Sequence, residues 1–233
     1  MSAALVQTVL ATGTNSTSSV GMSVTVSAGN ALIVFVGGGS GQSVSGVSGG
    51  SNSYGAQTST TNTAHAYKVS SFVAVGIAGG TYTVTGTFSG ATNYPWIMCV
   101  EVSGADTAGP YGSVYSPSPS STANDGIETT SSTNTRKGLM FGLIFGADSS
   151  TAGTSFVVDT FGTDMGLPGT GYVEDWATEC RYLSSTGSVI PATWKNTNSA
   201  NNIAAIMQML YDTVAAASAS PNYYQRLLRN TNV

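Results

Sequence analysis

Apolar residues recur along much of this chain with a period of two. Val24 and Val26 alternate with Ser23, Thr25 and Ser27, and Gly29-Asn30 then marks a turn. Residues 31–36 follow as an unbroken apolar run that empties into the glycines of 37–41. Tyr82, Val84 and Phe88 alternate with threonines and glycines, and Trp96, Met98, Val100 and Val102 alternate with Ile97, Cys99 and Glu101. Further segments lie at 139–145, 156–158, 172–176 and 203–210. Short period-two segments punctuated by Gly, Ser, Asn and Asp predict an antiparallel all-β sandwich or barrel. A run such as 32–36, apolar on both faces, predicts a central strand covered on both sides.

Residues 203–210 (IAAIMQML) test this reading, because Ala and Met favour helix. An internal repeat argues for a strand instead. GNALIVFVGGG at 29–39 resembles RKGLMFGLIFGAD at 136–148, with Leu32 against Leu139. TFSGATNYPWIMCVEVSGAD at 87–106 resembles TWKNTNSANNIAAIMQMLYD at 193–212, with Phe88 against Trp194. Between them, HAYKV at 65–69 parallels ECRYL at 179–183. The expectation is one β-sandwich domain over 1–212, with pseudo-halves at about 20–115 and 125–212. Two such halves interleave into roughly eight strands, as two Greek keys make a jelly roll. Ser116-Pro117-Ser118-Pro119-Ser120 reads as the linker between them.

Composition changes the picture at the surface. Charged residues make up 8% of the 233, against about 25% in an ordinary soluble domain. Hydroxyls, amides and backbone must therefore cover the outside. Seven Lys and Arg against eleven Asp and Glu give a net charge of −4 and no basic stripe, which argues against nucleic acid as a partner. No run approaches the ~18 apolar residues of a spanning helix, so no membrane insertion is expected, and the first residues make a poor secretory signal. Cys99 and Cys180 read as two buried free thiols, with a single pairing as the alternative.

Candidate chemistry is thin. A dinucleotide loop needs glycines at i, i+2 and i+5 before a helix. Counting from Gly37 the third position is Gln42, and from Gly39 it is Val44, so the fingerprint fails. His65 is the sole histidine, and it reads as a strand residue. Asp159, Asp164, Glu174, Asp175 and Glu179 cluster in sequence without the spacing of a calcium loop, and read as solvated charges. The expectation is no catalytic residue, no metal and no cofactor. Tyr54, Tyr94, Tyr111, Tyr115 and Tyr172 lie in or near Gly/Ser/Pro-rich stretches, where amphipathic rings suit contacts with a glycan or a partner.

The tail, 213–233, has its own pattern. Ser220 and Pro221 suit the start of a short helix at about 221–228, and Arg226 and Arg229 suit its end. Two turns cannot stand alone in water, so Tyr223, Tyr224, Arg226, Leu227, Leu228 and Arg229 form a candidate subunit-docking segment.

Several stretches also carry a resemblance. SVTVSAGNALIVFV, then AHAYKV, then GTYTVTGTFSGATNYPWIMCVEVSGADTAGP resemble jelly-roll-like β-sandwich segments of tailed-phage virion proteins, of fibre or decoration type, and of bacterial surface proteins. The shared pattern is a G-N-x-L turn and strand, a Y-x-V strand, and T-V-T-x-x-F-S-G leading into E-x-S-G. The resemblance spans roughly residues 5–212, brings no catalytic residues, and does not include the tail. It implies a non-enzymatic structural protein of a virion, in a head-decoration, collar or tail-fibre role, assembled in the host cytoplasm. Its partners would be other copies of itself and other virion proteins. The alternative it implies is a carbohydrate-binding or adhesin module that contacts host surface glycans through loop aromatics.

Overall fold

The computed structural model describes residues 1–62, 66–108, 126–128, 133–147, 156–158, 163–164, 174–184, 186–188, 193–196 and 203–213. The first half supplies β1 (Ala4–Thr12), β2 (Thr17–Val26), β3 (Ala31–Gly38), β4 (Val44–Ser48), β5 (Gly55–Asn62), β6 (Tyr67–Ala74), β7 (Gly80–Thr92) and β8 (Trp96–Ser103). The second supplies β9 (Gly126–Glu128), β10 (Thr133–Asn134), β11 (Gly138–Ala147), β12 (Phe156–Val158), β13 (Thr163–Asp164) and β14 (Glu174–Leu183). It ends with β15 (Gly187–Ser188), β16 (Thr193–Asn196) and β17 (Ile203–Tyr211). The described residues contain strands and no helix, and each strand pairing is antiparallel. The helix expected at 221–228 and the linker at 116–120 lie outside the described residues.

β3 sits in the middle of the first large sheet, whose order is β1-β8-β3-β6-β5. All eight of its residues are buried, so both of its faces are covered. Leu32, Val34 and Val36 point to one side, with Phe72, Ile97 and Cys99 of the neighbouring strands. There they meet Val20, Met22, Val24, Val26, Val84 and Phe88 from a three-stranded outer sheet of order β2-β7-β4. Ile33, Phe35, Val69, Val73, Met98 and Val100 point to the other side. On that side lie Leu139, Phe141, Leu143, Ile206 and Leu210 from a second large sheet, of order β13-β14-β11-β17. The first large sheet is thus sealed between two others, which is why its strands lack the alternation seen in β2.

The two halves share a strand order. Set aside β1 and the two-stranded β10-β15 pair, and β8-β3-β6-β5 with β2-β7-β4 corresponds strand for strand to β17-β11-β14-β13 with β9-β16-β12. The registers agree as well. Ala31, Ile33 and Phe35 pair with Val102, Val100 and Met98, while Leu139, Phe141 and Leu143 pair with Leu210, Gln208 and Ile206. Corresponding faces of the two large sheets therefore pack on each other. Residues 203–211 form a strand despite their helix propensity, because pairing with β11 and packing of Ile206 and Leu210 against the first large sheet supply what propensity does not.

Two expectations change. The halves do not interleave into one set of strands. Among the described residues each strand pairs within its own half, and the isolated Ala105–Asp212 bridge joins the two. The alignment is also displaced: Ala31, not Leu32, occupies the position of Leu139, and Val73, not a residue of 65–69, that of Cys180. A slip of one residue matters because it turns each side chain to the opposite face. Two strands, β4 and β5, come from stretches whose Gly, Ser and Thr content obscures the period, and β1 (ALVQTVLAT) lacks a clean alternation of apolar and polar residues.

Candidate functional site

The glycine stretch is built for packing. A Cβ at Gly37 would lie 2.5 Å from Trp96 Cζ2 and 2.8 Å from Val69 Cγ2, so a glycine lets the Trp96 ring close over β3. The turn beyond it is fixed by backbone bonds from Gly39 N to Asn93 O (2.7 Å) and Gly41 N to Ala66 O (2.7 Å). These donors point at carbonyls and not toward a shared anion.

Among the described residues, the largest groups of converging polar side chains lie at two places. The first is Glu101 on β8, 1% exposed amid apolar neighbours. Its Oε1 accepts from the backbone N–H of Ser27 (2.8 Å) and from Asn30 Nδ2 (2.7 Å), and its Oε2 accepts from Gln7 Nε2 (2.5 Å). Gln7 Nε2 also reaches Thr25 O at 2.5 Å. Gly29, at φ +84°, makes the turn that brings Ser27 and Asn30 over the carboxylate. A buried carboxylate is costly unless its lone pairs are met, and here both oxygens are met by neutral N–H groups. The G-N and E-x-S-G motifs, about 70 residues apart in sequence, are thus two sides of one clamp across β1, β8 and the β2–β3 turn. Closed to solvent on this scale, the carboxylate has no face to offer a substrate.

The second place is the junction where the halves meet. Arg136 NH2 pairs with Asp106 Oδ2 at 2.6 Å and donates to the backbone oxygen of Asp212 at 2.7 Å. Its guanidinium stands 4.9 Å from the centre of the Tyr211 ring. Asp212 accepts from Ala3 N at 2.7 Å through Oδ1 and from Tyr182 OH at 2.5 Å through Oδ2. That hydrogen bond to Asp212 raises the Tyr182 phenol above its ordinary range. Thr213 N donates to Gly104 O at 3.1 Å. The start of β1, the end of β8, the start of β11 and the end of β17 are therefore tied in one polar knot.

Of the tyrosines read as contacts, Tyr54 and Tyr94 fall within the described residues. Tyr111, Tyr115 and Tyr172 lie outside them, as do Tyr223, Tyr224, Arg226, Leu227, Leu228 and Arg229. Tyr54 packs against the core beneath the outer sheet. Its hydroxyl is buried beside Asn52 and Tyr82 without a hydrogen bond of good geometry, and burial pushes the phenol well up. Asn52 Nδ2 instead donates to Tyr82 OH at 2.8 Å. Tyr54 is thus a half-buried loop residue whose ring leans on the core. Tyr94, half-buried in the β7–β8 turn at φ +50°, has its N–H held by Asn15 Oδ1 at 2.8 Å.

Cys99 and Cys180 are buried and form no disulfide, one in each of the two cores. Burial pushes the Cys99 thiol up to about 12, which keeps it protonated and inert near neutral pH. His65 and Asp159 lie outside the described residues. In register, Asp164 stands opposite Glu179, and Asp175 opposite Gly146. No group of three or more His, Cys, Asp or Glu able to hold a metal occurs among the described residues.

Sequence reasoning quoted Glu101 and Asn30 as motif residues but assigned them no role. The available signal was a lone acid inside the apolar strand WIMCVEVS. The Arg136 junction left a fainter mark, an aspartate at the end of each repeat unit (Asp106 and Asp212). Comparison with family models, curated proteins and solved structures finds no match to this chain.

Proposed function

We propose that this chain is a non-enzymatic structural protein of a phage virion, working by subunit packing with other copies of itself and other virion proteins. On this reading each half is a jelly-roll-like sandwich. The order β1-β8-β3-β6 beside β2-β7-β4 supports it, with β5 joined to β6 where a jelly roll would place it next to β4. The observation that carries the proposal is the use made of buried and half-buried polar residues. Glu101, Gln7 and Asn30 lock strands to one another, and Arg136, Asp106 and Asp212 lock the halves. The outward residues of β2 and β7, by contrast, are uncharged, almost all of them hydroxyls and glycine. Rigid units with such a skin suit close packing of copies, since little charge must be desolvated on contact.

The test is mass and location. Light scattering of the full chain should give a particle larger than one chain, and deletion of 221–233 should reduce it. Mass spectrometry of purified particles should find the chain at a fixed copy number. A monomer whose size is indifferent to the deletion, absent from particles, would sink the proposal.

A further inference from the structure

On the flank where the first large sheet and the outer sheet part, a groove of about 250 Å³ runs between edge strands β4 and β5. The outer sheet is the shorter on this side, because β5 has joined β6. Val44, Ala56 and Phe72 give the groove its apolar lining, and Ser45, Gln57 and Thr58 are among its polar lining residues. No lining residue is ionisable.

Both edge strands are irregular at this point. β4 bulges between Val44 and Gly46, leaving Ser45 as the extra residue, and β5 bulges between Ala56 and Thr58, leaving Gln57. Bulges at sheet edges re-aim side chains and interrupt the ladder an added strand would need. Here the two bulged residues both line the groove from opposite walls. The Ser45 hydroxyl donates to Thr87 O at 3.0 Å, which leaves its oxygen able to accept. The Gln57 amide donates one N–H to Gly55 O at 3.0 Å, which leaves a second N–H and the carbonyl.

From this geometry we infer that the groove is a binding site for a neutral saccharide. A charged ligand would find no counter-charge among the lining residues, and a regular strand would find its ladder broken on both sides. A sugar unit matches what is present: several hydroxyls that both donate and accept, and a C–H face for Val44 and Ala56, with Phe72 at the floor. The site is distinct from the tyrosines named earlier and does not rest on the virion proposal.

The experiment uses the full chain with neutral trisaccharides (maltotriose, cellotriose and chitotriose) and an acidic one (trigalacturonate), read by saturation-transfer NMR and titration calorimetry. At least one neutral trisaccharide should bind and trigalacturonate should not. Combining Ser45→Ala with Gln57→Ala should weaken binding roughly tenfold, the loss of about two hydrogen bonds. Ser45→Phe, at an exposed position, should block the groove with the unfolding midpoint unchanged, and it decides the matter if the double variant fails to fold. Thr25→Ala, on the outer face, should bind as the parent does. The inference is overturned if no neutral trisaccharide binds at millimolar concentration, or if trigalacturonate binds as well. It is overturned too if Ser45→Phe leaves binding intact, or if an extended neutral peptide such as a Thr-Val repeat binds in place of the sugars.

Discussion

β2 and β3 are consecutive strands joined by one tight turn, yet they live in different surroundings. β2 alternates: Val20, Met22, Val24 and Val26 are buried, while Ser19, Gly21, Ser23 and Thr25 are exposed. β3 does not alternate, and Ile33, Val34 and Val36 are each 0% exposed. The same backbone geometry serves both. The difference lies in how many faces of the sheet are covered: one for the outer sheet, two for the first large sheet, which has the second large sheet on its far side. The second half of the chain is therefore what makes β3 a double-sided core strand. Without it, Ile33 and Phe35 would present apolar side chains to water.

The largest break in this contrast should come from the face shared by the halves. Phe35 is 1% exposed and packs in the cluster that also holds Phe141 and Leu143. Phe35→Ala removes a ring where neither sheet can easily collapse into the space. A loss of about 3–5 kcal/mol is expected from chemical denaturation, with the midpoint falling and the slope retained. A loss below 1 kcal/mol would mean that the two large sheets are not packed as tightly as the contrast requires.

Glu101→Gln is a smaller and sharper probe of the same sheet. It keeps the shape and removes the charge, while turning one acceptor into a donor. Whichever way the new amide sits, an N–H meets one already supplied by Gln7, Ser27 or Asn30. A loss of about 2 kcal/mol is expected in the same denaturation experiment, the range of hydrogen bonds to a charged group. An unchanged stability would show that the clamp does not hold β1 and the β2–β3 turn to β8.

The contrast also explains what could be read from the sequence. The alternation of β2 and the solid run of β3 were both legible, because period and run length report directly on face coverage. The helix-prone stretch at 203–210 could be assigned as a strand from its repeat partner, whereas propensity alone pointed elsewhere. The register between repeats was not legible. Leu32 against Leu139 is the better match of letters, but burial follows the face, and the face assigns Leu139 to Ala31. β4 and β5 were hidden because an edge strand with one half-buried face can be written in Ser, Thr and Gly. The groove beside them was hidden for a related reason. Its two bulges are properties of pairing, and no local residue pattern marks Ser45 or Gln57.

The smallest effect should come from the outer face, where the contrast predicts indifference. Thr83 is exposed on β7 and stands opposite Ser23 of β2. Thr83→Val exchanges a hydroxyl for a methyl without changing the β-branch, so strand preference and χ1 freedom are preserved. The hydroxyl is exposed and the methyl gains little burial, so a change within about 0.5 kcal/mol of zero is expected. The neighbouring Val84 gives the scale of what is avoided. It is 0% exposed, one residue further along the same strand and turned to the core. If Thr83→Val instead shifted stability by more than 1 kcal/mol in either direction, the outer face would not be bare. Stabilisation would mean that the face is covered by another copy or segment in solution. Destabilisation would mean that the Thr83 hydroxyl holds a bond on which the strand depends. Either result would make the outer sheet resemble the first large sheet, and the distinction between β2 and β3 would lose its physical basis.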